Sequence, residues 1–198
     1  VQSIDLSTLA LVLINGNNSL EYARLNLSAA GSIIMPGEYL VVKSSSAITL
    51  PPGTLTMTFA ASNDQIQNGA PDGIALIDTN WKIVLDALSY EGSITAAVIT
   101  GFPGTYSLVE GTVLPMSVAD GNIITGSLAR VPNGQDTNNA AAHWVYTTTL
   151  PPRTAHVPYA SLRGFSVQCP FIGLRQNGRG QLGGTPQLSF PVLPSVGA

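Results

Sequence analysis

The chain has one cysteine, Cys169, among 198 residues, so no disulfide can close within it. A chain of this length can build a core large enough to do without one. Nothing beside Cys169 would lower a thiol pKa, and it reads as a structural residue rather than a nucleophile. Charged residues are also scarce, at 10% against about 25% in an average soluble protein. With 44% apolar residues and a mean hydropathy of +0.26, charge-rich disorder is excluded. The shortage of Glu and Lys excludes a coiled coil. Eight basic residues and a pI near 5.1 give too little positive charge for a phosphate-binding face, so nucleic acid is not an expected partner. The longest apolar run, Leu9 to Ile14, is six residues. A transmembrane helix needs about 20, so no transmembrane segment is expected. The only histidines, His143 and His156, have neither a Cys partner nor an H-E-x-x-H pattern, which argues against zinc. There is no Met at the start. An opening at Val1 reads as a processed or excised segment, or as a chain without its signal peptide.

Charge divides what is present. All eleven acidic residues lie between Asp5 and Asp136. Residues 1–150 hold four basic against eleven acidic residues, a net −7. Residues 151–198 hold no acid and four arginines, Arg153, Arg163, Arg175 and Arg179. Seven of the 14 prolines also fall in that tail. Proline at this density breaks helices and interior strands. The expected organisation is therefore a folded unit over 1–150 and an irregular Pro/Gly/Arg-rich extension over 151–198. Gly178, Gly180 and Gly183 form G-x-G-x-x-G, but Gly184-Thr185-Pro186 follows. No helix can start there, so a dinucleotide cofactor is not expected.

Residues 1–150 read as short strands between turn signals. Leu9 to Ile14 suits a strand buried on both faces, and it ends at Asn15-Gly16-Asn17-Asn18. Leu20 to Leu27 alternates Ala23, Leu25 and Leu27 with Arg24 and Asn26. Met35-Pro36-Gly37-Glu38 is a turn before Tyr39 to Val42. Ile74 to Ile77 and Val84 to Tyr90 flank Asp78-Thr79-Asn80 as a hairpin. Further strands are expected at Tyr106 to Val109, Gly126 to Arg130 and Trp144 to Thr148. Turns about every ten residues point to an all-β sandwich or barrel.

Several residues invite a chemical reading. Ser127, Asp136 and His143 supply the side chains of a triad, although triads are made by geometry rather than proximity in sequence. No G-x-S-x-G elbow accompanies them. Oxygen-rich loops at Asn63-Asp64-Gln65, Pro71-Asp72-Gly73 and Gln135-Asp136-Thr137-Asn138 offer calcium ligands without EF-hand spacing. Arg130 and Asp136 flank Pro132-Asn133-Gly134, which reads as a loop pinned by Arg to carbonyls or a carboxylate. Asp5 reads as the cap of a turn, and Tyr90 and Trp144 as core or rim aromatics. Asn17-Asn18-Ser19 and Asn26-Leu27-Ser28 are glycosylation sequons, relevant only in a eukaryotic secretory host.

Four segments, in order, resemble the lamin tail domain family. Asp5-Leu6-Ser7-Thr8-Leu9-Ala10-Leu11 is similar to its D-L-S-x-x-x-L opening. Met35 to Val42 resembles P-x-G-x-Y-L-V-V. Pro71 to Asp78 with Val84 to Gly92 resembles the central hairpin, whose second strand ends V-D-x-x-S-Y. Gly126 to Arg130, Gly134 to Asn139 and Trp144 resemble the closing S-L-x-R…G-x-D-T-x-x-N…W block. The resemblance covers about 145 residues and is nearest the bacterial extracellular branch. It implies an immunoglobulin-like β-sandwich and a binding or targeting role, since the family has no shared catalytic constellation. The chain departs from the pattern twice. The first hairpin of the family is missing ahead of Asp5, and the closing T-P-G-x-x-N is replaced by Thr149-Leu150-Pro151-Pro152. A missing first hairpin would leave a sheet edge open. The altered ending reads as a divergent, fused or out-of-frame C-terminus, which the encoding DNA would decide.

The expectation is thus a non-catalytic binding or structural module of a secreted or cell-envelope bacterial protein, with a protein or cell-surface ligand. No catalytic residue, cofactor or metal ligand is assigned, and the oligomeric state is open. Two alternatives remain. One is a secreted hydrolase with its site in the 61–72 and 91–106 loops. The other is a carbohydrate-binding sandwich with a platform made from Tyr22, Trp81 or Tyr106.

Overall fold

The computed structural model describes residues 3–43, 50, 52–59, 66–67, 69–119, 127–132, 135–147, 172–173 and 187–189. These are mostly β-strands in antiparallel sheets, with one helical turn at Ala140–His143 (α1) and a 3-10 turn at Leu27–Ala29. The chain is all-β in its described residues. No helix among them is long and apolar enough to cross a membrane.

In chain order the strands are β1 (Ile4–Asp5), β2 (Leu9–Asn15), β3 (Leu20–Asn26), β4 (Ile33–Ile34), β5 (Leu40–Lys43) and β6 (Leu55–Thr58). There follow β7 (Asp72–Asp78), β8 (Ile83–Tyr90), β9 (Ser127–Arg130), β10 (Trp144–Thr147), β11 (Ile172–Gly173) and β12 (Gln187–Ser189). The central sheet has the order β3-β2-β7-β8, all antiparallel. A second sheet has the order β11-β12-β5-β6, in which β5 and β6 run parallel. β1 pairs with β4, and β9 with β10.

The apolar run of β2 makes it an interior strand. Its side chains alternate between two cores, as the two-residue period of a strand requires. Leu9, Leu11 and Leu13 join Ile74, Leu76, Leu88 and Tyr90 on one face. There they meet Leu40 and Val42 of β5, along with Phe59, Leu114, Leu128 and Trp144. Ala10, Val12 and Ile14 lie on the other face with Ala75, Ile77 and Ala87. The small alanines let the 91–108 segment come close, and it covers them with Ile94, Ala97, Ile99, Phe102 and Leu108. Gly73 shows how tight this cover is. A Cβ there would stand 2.6 Å from Leu108 Cδ1 and 3.0 Å from Ile94 Cδ1.

Several expected elements correspond to the observed ones. The Asp78-Thr79-Asn80 hairpin joins β7 to β8, and β9 pairs with β10. Asp5 Oδ1 accepts the Ser7 amide hydrogen at 2.8 Å, as a turn cap does. Tyr106 to Val109 is not a strand. Tyr106 forms only an isolated bridge to Ala97, because Pro103 and Gly104 break the segment and its work is to cover the sheet. Within 151–198 the described residues are β11 and β12, and β12 pairs with β5. The rest of 151–198, including His156, Cys169 and the Gly178–Gly183 motif, lies outside the described residues.

Candidate functional site

Across one face of the central sheet runs a row of cross-strand partners, Leu25, Leu11, Leu76 and Asp86. The row is apolar until its last member, on edge strand β8. A bulge sits at this point: Leu76 pairs with Asp86 and Ile77 with Val84, leaving Leu85 extra. A bulge re-aims the side chains next to it. Asp86 is left 6% exposed, facing the β9–β10 hairpin.

Arg130 at the end of β9 answers that carboxylate. Its Nη2 lies 3.0 Å from Asp86 Oδ1 and its Nη1 3.3 Å from Asp86 Oδ2, the parallel two-bond fork that guanidinium and carboxylate favour. The same guanidinium stands 3.6 Å from Glu110 Oε2 and 3.6 Å from Asp136 Oδ2. Trp144, the cross-strand partner of Arg130, places its ring centroid 5.1 Å from the guanidinium carbon. That is a cation–π distance. Glu110 does a second job: its Oε1 accepts the Ala87 amide hydrogen at 3.2 Å and so covers part of the open edge of β8. The backbone carbonyls of Glu110 and Thr112 accept the amide hydrogens of Ala140 and Ala141. Three stretches far apart in sequence therefore meet at one ionic cluster, buried at Asp86 and Arg130 and open to water at Asp136.

The charges do not balance. Asp86, Glu110 and Asp136 face one arginine, and the side chains of Asp86, Glu110 and Arg130 are 6, 12 and 4% exposed. Burial, then the nearby charges of Asp86 and Asp136, push the Glu110 carboxyl up to about 8. Burial also raises Asp86, against the pull of Arg130. Burial opposes the charge on Arg130, but its carboxylate neighbours prevail and raise its pKa. The three carboxylates bring oxygens within 4.8 Å of one another, the spacing of a cation site. Arg130 already faces all three, so any metal ion would compete with its guanidinium.

The loop-pinning role read for Arg130 and Asp136 is present, with Asp86 as the nearer partner. The triad ingredients are not assembled. Asp136 is turned to Arg130, and no hydrogen bond joins it to His143, which is buried on α1. The Ser127 side chain lies outside the described residues. Among the described residues, Asp136 is the one member of the oxygen-rich loops in a carboxylate cluster, with Asp86 and Glu110, and Asp72 is not part of it. Asp72 accepts the Gly69 amide hydrogen, Asp136 accepts that of Asn138, and residues 63–65 lie outside the described residues.

Of the three platform aromatics, two come to one corner. Trp81, at the tip of the β7–β8 hairpin, is 74% exposed. Asp78 Oδ1 accepts the amide hydrogens of Asn80 and Trp81 at 2.8 and 2.9 Å, while its Oδ2 accepts the Thr8 hydroxyl. The tip is thus held from both sides. The Tyr106 hydroxyl donates to the Lys82 carbonyl, and Tyr106 meets Phe102 edge to face. Tyr22 does not join them. It packs on the core facing β5, its hydroxyl accepts the Gln67 amide hydrogen, and burial raises its pKa to about 12.

No protein-family model, curated protein or solved structure matches the chain.

Proposed function

We propose that the chain is a non-catalytic binding module of a secreted or cell-envelope bacterial protein, built on an immunoglobulin-like β-sandwich of the lamin-tail type. One observation carries the binding role: a large aromatic ring, Trp81, is presented to solvent on a hairpin tip that Asp78 holds in place. A rigid aromatic contributes contact area at low entropic cost, which is what a recognition surface needs. The lamin-tail likeness draws support from three dimensions. Asp86 of the central-hairpin segment meets Arg130, Asp136 and Trp144 of the closing block in one cluster. The hydrolase alternative has less to draw on, because the 91–106 segment delivers Ile94, Ala97, Ile99 and Phe102 to a core instead of lining a cleft.

The test is cosedimentation with purified bacterial cell-envelope material, comparing the chain with Trp81→Ala. The parent chain is expected in the pellet and the variant in the supernatant. Equal partitioning of the two would refute the role of Trp81.

A second reading, carbohydrate binding, is favoured by the same ring, since exposed Asn80 and Lys82 flank it with hydrogen-bonding groups. Soluble cell-wall polysaccharide would then release the chain from the pellet and shift the Trp81 emission. Release by protease treatment of the envelope material instead would point to a protein ligand.

A further inference from the structure

We propose that the Asp86–Glu110–Arg130–Asp136 cluster is a proton-dependent latch. It fastens the β9–β10 hairpin and the 110–112 segment to edge strand β8 while its carboxyls hold a proton, and its grip weakens when that proton leaves. The proposal rests on the cluster alone and stands whether or not Trp81 binds anything.

Geometry comes first. The Arg130 fork is spent on Asp86, at 3.0 and 3.3 Å. Glu110 and Asp136 are each 3.6 Å from the guanidinium, beyond a good hydrogen bond. With all three acids ionised the cluster would carry a net −2, with Asp86 and most of Glu110 out of water and Asp136 at the surface. Such excess charge is relieved most cheaply by binding a proton. Glu110 is the natural holder, because its carboxyl is buried beside two other acids. Among the described residues, the charged groups facing it are Asp86 from β8, Arg130 from β9 and Asp136 from the loop ahead of α1. The latched elements supply Leu128, Ala140 and Trp144 to the main core, so loosening them would open its edge.

The sign follows from linkage. Glu110 holds its proton up to about pH 8 when latched, against an ordinary 4.5 when released. The latched state therefore binds more protons between these limits. Its advantage is complete below about pH 4.5, falls about tenfold per pH unit, and is gone above about pH 8.

The test uses the full chain carrying Trp81→Phe, so that buried Trp144 alone reports on the hairpin. Urea titrations followed by Trp144 emission and acrylamide quenching are run from pH 5 to 9. The opening constant is expected to rise by roughly a hundredfold or more from pH 5 to pH 8 and then level off. Adding Glu110→Gln, which cannot ionise, is expected to flatten that rise. A parallel offset at every pH, or the same rise in both chains, would overturn the latch. Should the glutamine variant not fold, infrared spectroscopy of the unaltered chain decides the question. A protonated carboxyl band at pH 7 that disappears on unfolding supports the latch, and its absence refutes it.

Discussion

Trp144 and Trp81 occupy opposite settings in one small fold. Trp144 is 3% exposed, lies over a guanidinium, and belongs to a cluster in which three carboxylates share one arginine. Trp81 is 74% exposed, on a tip whose backbone amides are held by the half-buried Asp78 below it. The hairpin tip keeps its aromatic surface available, while the cluster has committed its chemistry to holding strands together. A polar constellation thus marks function only when its groups have valence to spare. Three carboxylates around an arginine have spare charge but little spare access.

Removing the arginine should produce the largest effect. Arg130→Met leaves the buried Asp86 and the partly buried Glu110 without their cation, and breaking a buried pair in this way costs about 3–5 kcal/mol. Urea unfolding at pH 7 would measure it. Replacing the cluster as a unit, with Asp86→Leu, Glu110→Leu and Arg130→Met together, should recover most of that loss, because a matched apolar replacement is often neutral. If the triple variant is no more stable than Arg130→Met alone, the cluster contributes specific structure that apolar packing does not replace.

At the tip, Asp78→Ala removes the acceptor for two backbone amides and for the Thr8 hydroxyl. Those groups can turn to water, so a loss of about 1–2 kcal/mol is expected, smaller than for Arg130→Met. Its sharper signature is dynamic: the fluorescence anisotropy of Trp81 should fall as the indole loses its support. An unchanged anisotropy would mean that the ring is held by something other than Asp78.

Much of the central sheet is legible in the sequence. The six-residue run ending at Asn15-Gly16 marks β2, and Asp78-Thr79-Asn80 marks the β7–β8 hairpin. Here local pattern and tertiary burial agree. Tyr106 to Val109 reads as a strand because its apolar residues serve a core, but that core is reached by coil lying across the sheet. β1, β4 and β6 escape a sequence reading because two to four residues carry no period, and the β5–β6 pair is set by partners distant in sequence. The cluster is half legible. Arg130 and Asp136 can be joined because they bracket one loop. Asp86 leaves a signal, an acid within the apolar stretch Val84 to Tyr90, that shows a buried carboxylate but not its partner. Glu110 leaves none. Its place depends on a coil running along the edge of β8, which no local rule reports.

The smallest expected change in stability is also the most informative about the comparison. Trp81→Ala deletes a whole indole, yet little of that ring is packed. A surface substitution away from buried features shifts stability by about 0.5 kcal/mol or less. Trp144→Ala, by contrast, empties a filled site beside Leu128 and Arg130, where losing a large aromatic costs about 3–5 kcal/mol. The two variants should therefore separate cleanly in urea midpoint while reversing in cosedimentation: Trp81→Ala folded and unbound, Trp144→Ala destabilised but bound wherever it remains folded. If Trp81→Ala instead lost about 2 kcal/mol or more, the indole would be a packing residue covered by the rest of the chain, and the tip would cease to be a recognition surface.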